Sequence, residues 1–431
     1  MENSIAILFG VMFLLLFLGV PIGVSIACAM LALIHFAPIT KLTFIAQSLY
    51  SGLDNFTLLS LPFFMIAGTI MEGGGISRRI VKAANSAIGN VTGSLGMVSI
   101  IACMFFGAVS GSAIATVAAI GSIMLPAMDQ EGYNRTYATA LIAVAGSLGM
   151  IVPPSTPMVV YGVTNNVSIG ALFMGGFLPA MVVGGLLMTV NYFTCKKYGW
   201  VGKNHRLSGR EIAKTFWDAK WALLMPVIIL GGIYSGVVTP TEASVVGCSY
   251  GIIVGRFIYK ELTWRSIWEM YKKNTSFIGA MLFTFAPAGA LSSIFAYMKI
   301  PAKITAFFIS ISSNPYVILF MILILLLIVG MFLETTPSML LISPILLAVV
   351  QEIGVNPVHF GIFMVLALCV GLVTPPVAMD LFVAQSMTGI DMISIARKGK
   401  WLILAMIAST LIILYVPWIS LVLPKFFGMI R

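Results

Sequence analysis

Two adjacent prolines, Pro153 and Pro154, lie inside an apolar run that is otherwise long enough to cross a membrane. Each proline lacks a backbone donor and disfavours helical geometry at the preceding residue, so a straight membrane helix cannot pass this point. Ser155 or Thr156 can cap a new helix with Pro157 at its first position. We therefore expect a broken helix over about 136–163. Unwound backbone survives in a bilayer only inside protein or beside a polar cavity, so the break is a candidate binding site.

The same device occurs again further along the chain. A shift of 222 positions aligns six identical residues without a gap, including both members of the double proline. The aligned pairs are Gly132 and Gly354, Asn134 and Asn356, Ala145 and Ala367, Gly149 and Gly371, Pro153 and Pro375, and Pro154 and Pro376. The sequence therefore predicts an internal duplication, with a second broken helix at about 357–387.

The composition assigns the chain to the membrane. Of its 431 residues 60% are hydrophobic and only 9% are charged, and the mean hydropathy is +1.06. These values predict an all-α polytopic membrane protein with about eleven transmembrane helices plus re-entrant pieces. The N-terminal run from Ile5 is expected to be a retained span. The five scattered cysteines are interpreted as packed thiols.

The net charge of +10 is interpreted as an orientation signal and not as a nucleic-acid surface. Basic residues are concentrated in the stretches 196–214 and 256–273, which we expect in the cytoplasm. The residues after the first double proline should face outside. Those after the second end in a basic cluster and should therefore face the cytoplasm. The two copies should therefore be inverted in the membrane: a first repeat at 1–200, a cytoplasmic basic connector at 201–220, and a second repeat at 221–431.

Each repeat also contains a polar interruption between two apolar arms. Ser110-Gly111-Ser112 interrupts the stretch 94–128, which favours a re-entrant helical hairpin; a small-residue packing face between straight helices is the alternative. Glu334-Thr335-Thr336-Pro337 interrupts 315–350, where Thr336 can start a helix. Glu334 and Asp380 are acids at membrane depth and are functional candidates; a cap or a neutral buried acid is the alternative for Glu334.

Four breaks converging near the membrane midplane would suit coupled binding of an anion and a cation. Half-helix N-termini attract anions, and unwound carbonyls can hold sodium. Enzyme chemistry fits poorly, because the three histidines are isolated and no zinc spacing or phosphate loop occurs. An ion channel remains an alternative. Glu242 is explained as part of a capping box with Thr239.

Four motifs, in their order along the chain, resemble those of one known family. The motifs are Phe106-Gly107-Ala108-Val109-Ser110-Gly111-Ser112, Val152-Pro153-Pro154-Ser155, Thr239-Pro240-Thr241-Glu242-Ala243 and Gly371-Leu372-Val373-Thr374-Pro375-Pro376. Together they resemble the large membrane subunit of tripartite ATP-independent periplasmic (TRAP) transporters, within the ion transporter superfamily. The resemblance covers nearly the whole chain. Two positions depart from the pattern, Ala113 where a second serine is frequent and Asp380 where asparagine is frequent.

The resemblance implies an elevator-type secondary transporter of the bacterial inner membrane, driven by sodium, without other cofactors. Its implied partners are a small membrane subunit of four helices, a periplasmic substrate-binding protein, the lipid bilayer and an organic acid. The acid would be a sialic acid or, as second choice, a C4-dicarboxylate. A binding-protein-independent carboxylate/sodium symporter of the same superfamily is a further alternative.

The resemblance also implies site residues by motif. The first sodium site would use Ser110, Ser112, Gly149, Val152 and Pro154. The second sodium site would use Glu334, Thr335, Thr336, Gly371, Thr374, Val377 and Met379. The substrate would lie between the two breaks, near Ser155, Thr156, Pro157 and Asp380.

Overall fold

The computed structural model describes residues 2–37, 40–88, 91–200 and 208–430, and these are predominantly α-helical. In the first half of the chain the helices are α1 (Glu2–Phe17), α2 (Ile22–Phe36), α3 (Leu42–Leu53), α4 (Ser60–Gly73), α5 (Ile76–Ile88), α6 (Ser94–Ser110), α7 (Ala113–Gln130), α8 (Arg135–Gly146), α9 (Leu148–Ile151), α10 (Thr156–Asn165) and α11 (Ile169–Tyr198). A 3-10 turn, Phe56–Leu59, precedes α4.

The second half continues with another set of helices. They are α12 (Gly209–Tyr234), α13 (Pro240–Ile253), α14 (Trp264–Tyr297), α15 (Ile300–Ile311), α16 (Pro315–Phe332), α17 (Thr335–Glu352), α18 (Pro357–Gly371), α19 (Met379–Thr388), α20 (Met392–Lys398), α21 (Lys400–Tyr415) and α22 (Trp418–Phe426). A π-helical turn, Val254–Ile258, follows α13.

Length and composition identify the membrane spans. Among the described residues, eight helices are long and apolar enough to cross a bilayer, or nine if the bent pair α20 and α21 forms one span. Five shorter apolar helices of 10–17 residues accompany them. The chain is therefore an all-helical multi-pass membrane protein, and the figure of about eleven spans stays a prediction.

Several helix bounds recur at the offset found in the sequence. Adding 222 to the bounds of α7 gives 335–352, which are the bounds of α17. The same shift takes α6 to within one residue of α16 and α10 to within one residue of α19. Asn134 and Asn356 both cap the first helix of a broken pair, at α8 and α18. The two stretches thus share their local structure, while their relative orientation in the membrane stays a prediction.

The two stretches are packed crosswise in the core. Helix α19 of the second packs on α7 and α8 of the first, and α10 of the first packs on α17 of the second. Asn165 on α10 donates to Ser343 Oγ on α17 over 2.7 Å. A large buried cluster runs through these helices, and a smaller one joins α1, α2, α3, α14, α15 and part of α17. The two related stretches therefore share one packed core.

The stretch 201–220, predicted as a cytoplasmic basic connector, is described only in part. Residues 201–207 of the predicted connector lie outside the described part, whereas residues 209–220 already belong to α12. A capping box of Ser208 and Glu211 starts this helix, and one of Thr263 and Ser266 starts α14. These caps explain why the helices extend into the basic stretches.

Candidate functional site

Ser155 caps the helix that follows the first break. Helix α9 ends at Ile151, and Val152 and Ser155 have extended backbone. Ser155 Oγ accepts from the Met158 amide over 3.4 Å and donates to the Met150 carbonyl over 2.5 Å. Of the two alternatives Ser155 is therefore the cap, and Pro157 is the second residue of α10 rather than the first. Both Pro-Pro bonds, at 153–154 and 375–376, are cis.

The tip of the first hairpin gathers three oxygens. Helices α6 and α7 are joined by a turn in which Gly111 has a φ of 60°, and they pack against each other. Thr116 Oγ1 donates to the Ser112 carbonyl over 2.7 Å and lies 3.1 Å from Ser110 Oγ. Ser110 Oγ in turn lies 3.4 Å from the same carbonyl. We call these three atoms the oxygen triangle.

The first break packs directly on the oxygen triangle. A Cβ on Gly149 would lie 2.3 Å from Thr116 Oγ1 and 2.7 Å from the Ser112 carbonyl oxygen, so only glycine fits. The Thr156 amide donates to the Gly111 carbonyl over 3.4 Å. Pro154 also lies against Gly111, since a Cβ added to Gly111 would be 3.1 Å from the Pro154 carbonyl oxygen. Of the residues predicted for the first site, Ser110, Ser112, Gly149 and Pro154 therefore lie around the hairpin tip.

Thr116 is a site residue that the sequence reasoning missed. Its hydroxyl takes part in the oxygen triangle, and its side chain is fully buried. A signal was available, because Thr116 lies four residues after Ser112 and therefore on the same face of α7. The motif that carries the family resemblance, 106–112, ends at Ser112 and does not contain Thr116.

The second break is more open than the first. Residues 151–160 are all buried, whereas Pro376 and Val377 at the second break are exposed. Thr374 Oγ1 donates to the Val370 carbonyl over 2.7 Å, and the Asp380 amide donates to the Leu372 carbonyl over 3.0 Å. These bonds fold the segment between α18 and α19 back on the end of α18.

The second hairpin tip touches this break through backbone. A Cβ on Gly371 would lie 2.2 Å from the carbonyl carbon of Gly330, so α16 and α18 approach glycine to glycine. The Val377 amide donates to the Met331 carbonyl over 3.3 Å. Helix α17 starts at Thr335 with Glu334 as its N-cap residue. The prediction that Thr336 caps this helix is therefore wrong, because Glu334 occupies the N-cap position with extended backbone and Thr336 is the second helical residue.

The acids of the second site are not used for capping. The Glu334 side chain makes no capping bond; it lines a cavity of about 190 Å³ together with Thr336 and with Thr284 of α14. Asp380 is fully buried, and neither of its carboxylate oxygens has a hydrogen-bond partner among the described residues. The hydroxyls of Thr335 and Thr156 are likewise buried without a partner in that part of the chain. Glu242, in contrast, forms the capping box predicted with Thr239.

The first site offers uncharged hydroxyl and carbonyl oxygens, and the second adds the carboxyl groups of Glu334 and Asp380. Such donors suit a weakly charged cation better than a transition metal, which prefers sulfur and imidazole. The start of each second half-helix, α10 and α19, adds the partial positive charge of a helix N-terminus. The arrangement therefore places oxygen donors and helix N-termini at both breaks.

Comparison with known proteins decides the family. Residues 9–419 match the family model described as "Tripartite ATP-independent periplasmic transporter, DctM component". The chain belongs to this family. The resemblance in the sequence motifs is thereby confirmed, and the chain is a multi-pass protein of the inner membrane.

The relatives differ in the substrates that their names carry. The chain is 40% identical over 99% of its length to an isethionate TRAP transporter permease protein of Oleidesulfovibrio alaskensis, of which it spans 66%. It is 37% identical to the sialic acid TRAP transporter large permease of Vibrio cholerae, covering 96% of each chain. It is 34% identical to the C4-dicarboxylate TRAP transporter large permease of Rhodobacter capsulatus, covering 99% of this chain and all of the other. These relatives are named as transporter permeases and not as enzymes.

A solved structure shows the same fold at low identity. The YdaH transporter of Alcanivorax borkumensis superposes with a TM-score of 0.64 at 13% identity, covering 89% of this DctM-family chain and 90% of its own. The fold is thus that of a known membrane transporter.

Proposed function

We propose that this DctM-family chain carries an organic acid anion across the inner membrane together with sodium ions. The observation that carries the proposal is the oxygen triangle, in which two hydroxyls and one carbonyl converge on the Gly149 backbone. The proposal includes no catalytic step by the chain itself, and it requires no cofactor other than sodium.

The first sodium ion would bind at the oxygen triangle. In the described structure Ser110, Thr116 and the Ser112 carbonyl satisfy one another by hydrogen bonds. A cation can replace these bonds by rotating both hydroxyls so that their lone pairs face it. Carbonyls of Gly149, Val152 and Pro154 would complete its shell, since the break lies against the tip. No carboxylate is required, which suits a monovalent ion.

The second sodium ion would bind between the Glu334 to Thr336 segment and the second break. Gly371 and Thr374 lie on the break, with Val377 and Met379 following. The buried Thr335 hydroxyl has no partner within the described part of the chain, so it is available as a ligand. Glu334 supplies the one negative charge of this set, and a cation beside it offsets the cost of placing an acid at membrane depth.

The substrate would lie between the two breaks, at the N-termini of α10 and α19. Ser155, Thr156 and Pro157 form the first of these starts, and Asp380 is in the first turn of the second. The relatives are named for isethionate, sialic acid, C4-dicarboxylate and 2,3-diketo-L-gulonate, and all four compounds carry an anionic group. We place a sialic acid first and a C4-dicarboxylate second.

The same proposal covers the mechanism and the partners. Two inverted repeats would form an elevator in which both hairpins move with their broken helices. A small four-helix membrane subunit would complete the membrane part, and a periplasmic binding protein would deliver the acid. The crosswise packing of α7 with α19 and of α10 with α17 supports movement as one body.

Uptake into proteoliposomes tests this proposal. They would contain this chain and its small subunit, with the binding protein outside, and labelled sialic acid or succinate would be offered with and without an inward sodium gradient. We expect uptake of one acid that requires both sodium and the binding protein. Uptake that needs sodium but not the binding protein would instead indicate the binding-protein-independent symporter. Equal uptake without sodium would refute the coupling.

A further inference from the structure

A large basic cleft lies away from both breaks. It is about 740 Å³ in volume and is bounded by α5, the first turns of α12 and the residues 258–261. Cations reach it from two sides, Arg78 and Lys82 from α5 and Lys214 and Lys220 from α12. Trp217 and Trp221 line its wall. The proposed transport of an organic acid gives this cleft no role.

Five cations and three acids line the cleft, and two of the acids already have polar partners. Glu261 pairs with Arg79 over 2.6 Å, and the Arg79 guanidinium stacks over Tyr259 at 3.6 Å. Glu211 accepts from the Ser208 amide over 2.8 Å in the capping box of α12. Asp218 is the remaining acid. The cleft therefore keeps an excess of positive charge after its internal pairs are formed.

Three cations of the cleft are free to bind an anion. Arg78, Lys82 and Lys214 are exposed, and none of them forms an ion pair with another described residue. Arg78 and Lys82 are one helical turn apart on the same face of α5. Lys220 is held in the wall by stacking over Trp217 at 3.5 Å. Cations thus face the cleft across its width.

Exposed aromatic side chains place the cleft at the membrane surface. Trp217 is 68% exposed. Phe257, Trp264 and Trp268, which lie before and after the lining residues 258–261 in the chain, are also exposed. Tryptophan collects at the boundary between hydrocarbon and water, where its ring meets lipid headgroups. A soluble anion would make no contact with these aromatic side chains. A lipid, in contrast, can place its phosphate in the cleft and its acyl chains along the aromatic residues.

We propose that this cleft binds the phosphate headgroup of an anionic glycerophospholipid. Arg78, Lys82 and Lys214 would contact the phosphate, and Trp217 and Trp221 would contact the glycerol and the upper acyl chains. Basic pockets between membrane helices bind such headgroups by charge and hydrogen bonding. The site would tie α5 to α12, two elements that already pack together.

Lipid-dependent thermal stability tests the site in the purified full-length chain. Phosphatidylglycerol, phosphatidylcholine and inorganic phosphate would each be titrated in mild detergent, and the midpoint of thermal unfolding would be measured. We expect phosphatidylglycerol alone to raise the midpoint. In the triple variant Arg78→Gln, Lys82→Gln, Lys214→Gln the half-saturating lipid concentration should rise by about fivefold per charge removed.

A matched triple variant removes three exposed cations outside the cleft, at Lys196, Lys197 and Arg397. It should respond to phosphatidylglycerol as the wild type does. An equal loss in both triples would show bulk charge attraction and refute the site. An equal stabilisation by inorganic phosphate would identify a free-anion site instead. Loss of small-subunit binding in the cleft triple, with an unchanged lipid response, would assign the cleft to that protein and also refute the proposal.

Discussion

Thr116 is the residue that distinguishes the structural account of the first site from the sequence account. The motif residues Ser110 and Ser112 indicated a polar tip, but their local pattern could not show which oxygens converge. Convergence depends on the turn at Gly111, which is local, and on the close approach of Gly149, which is a tertiary contact. The structure adds a hydroxyl that bonds to two predicted residues, Ser110 and Ser112, and lies against a third, Gly149.

Replacing Thr116 with valine tests the oxygen triangle. The change keeps the shape of the side chain and removes only the hydroxyl. If this hydroxyl helps to hold sodium, we expect the sodium concentration for half-maximal uptake to rise about tenfold, since one lost polar interaction is worth about 1–2 kcal/mol. Uptake of labelled acid at varied external sodium would measure this.

Thr410 provides the matched control. It is also buried, and its hydroxyl also bonds to the carbonyl four residues earlier, at Met406. Thr410→Val should leave the sodium dependence as in the wild type. A sodium response unchanged in Thr116→Val, with normal protein levels, would remove Thr116 from the site.

At the scale of helices, the contact between α16 and α18 is controlled by glycine. Gly330 and Gly371 bring the two backbones together where the second hairpin meets the second break. Small residues permit this kind of approach between membrane helices. The contact also sets the register between the hairpin tip and the segment that carries Thr374.

Gly371→Ala should separate these helices. The added Cβ would overlap the Gly330 carbonyl carbon, which is backbone and cannot rotate away. Overpacking of this kind costs about 1–3 kcal/mol, so we expect a lower thermal midpoint and at least a severalfold loss of uptake. Gly231→Ala on α12 is the control, because its Cβ would meet nothing within 4 Å. Equal behaviour of the two variants would contradict the proposed contact.

The sequence predicted the positions of the interrupted helices well. The breaks around Pro153 and Pro375 follow from local backbone chemistry, and the helices end within a few residues of the expected positions. Thr336-Pro337 is a good cap signal in the sequence, but α17 begins one residue before Thr336, with Glu334 at the N-cap position. The membrane class follows from composition. The approach of Gly149 to the oxygens of the first tip, and of Gly371 to Gly330 at the second, is not encoded locally and needed the structure.

At the scale of the whole molecule, the two related stretches share one core. Helix α17 contacts α10 within this core and also packs against α14. The cavity beside Glu334 lies at the second of these contacts, between α17 and α14. An elevator predicts that the first contact is kept during transport and the second changes.

Cross-linking distinguishes the two contacts. In a cysteine-free background, Thr284→Cys with Leu340→Cys would join α14 to α17 across the cavity that both residues line. Bridging them with a short bifunctional maleimide should abolish most uptake. Asn165→Cys with Ser343→Cys would join α10 to α17, which are hydrogen bonded, and should leave most uptake intact. The reverse result would exclude movement of α10 and α17 as one body relative to α14.

The most direct test of the central claim is the coupling ratio between sodium and substrate. Labelled sodium and labelled organic acid would be measured together in proteoliposomes that contain both membrane subunits, with the binding protein outside. The account predicts that sodium enters only when the acid and its binding protein are present, in a constant ratio. Sodium entry that continues without the acid would show a channel and contradict the account.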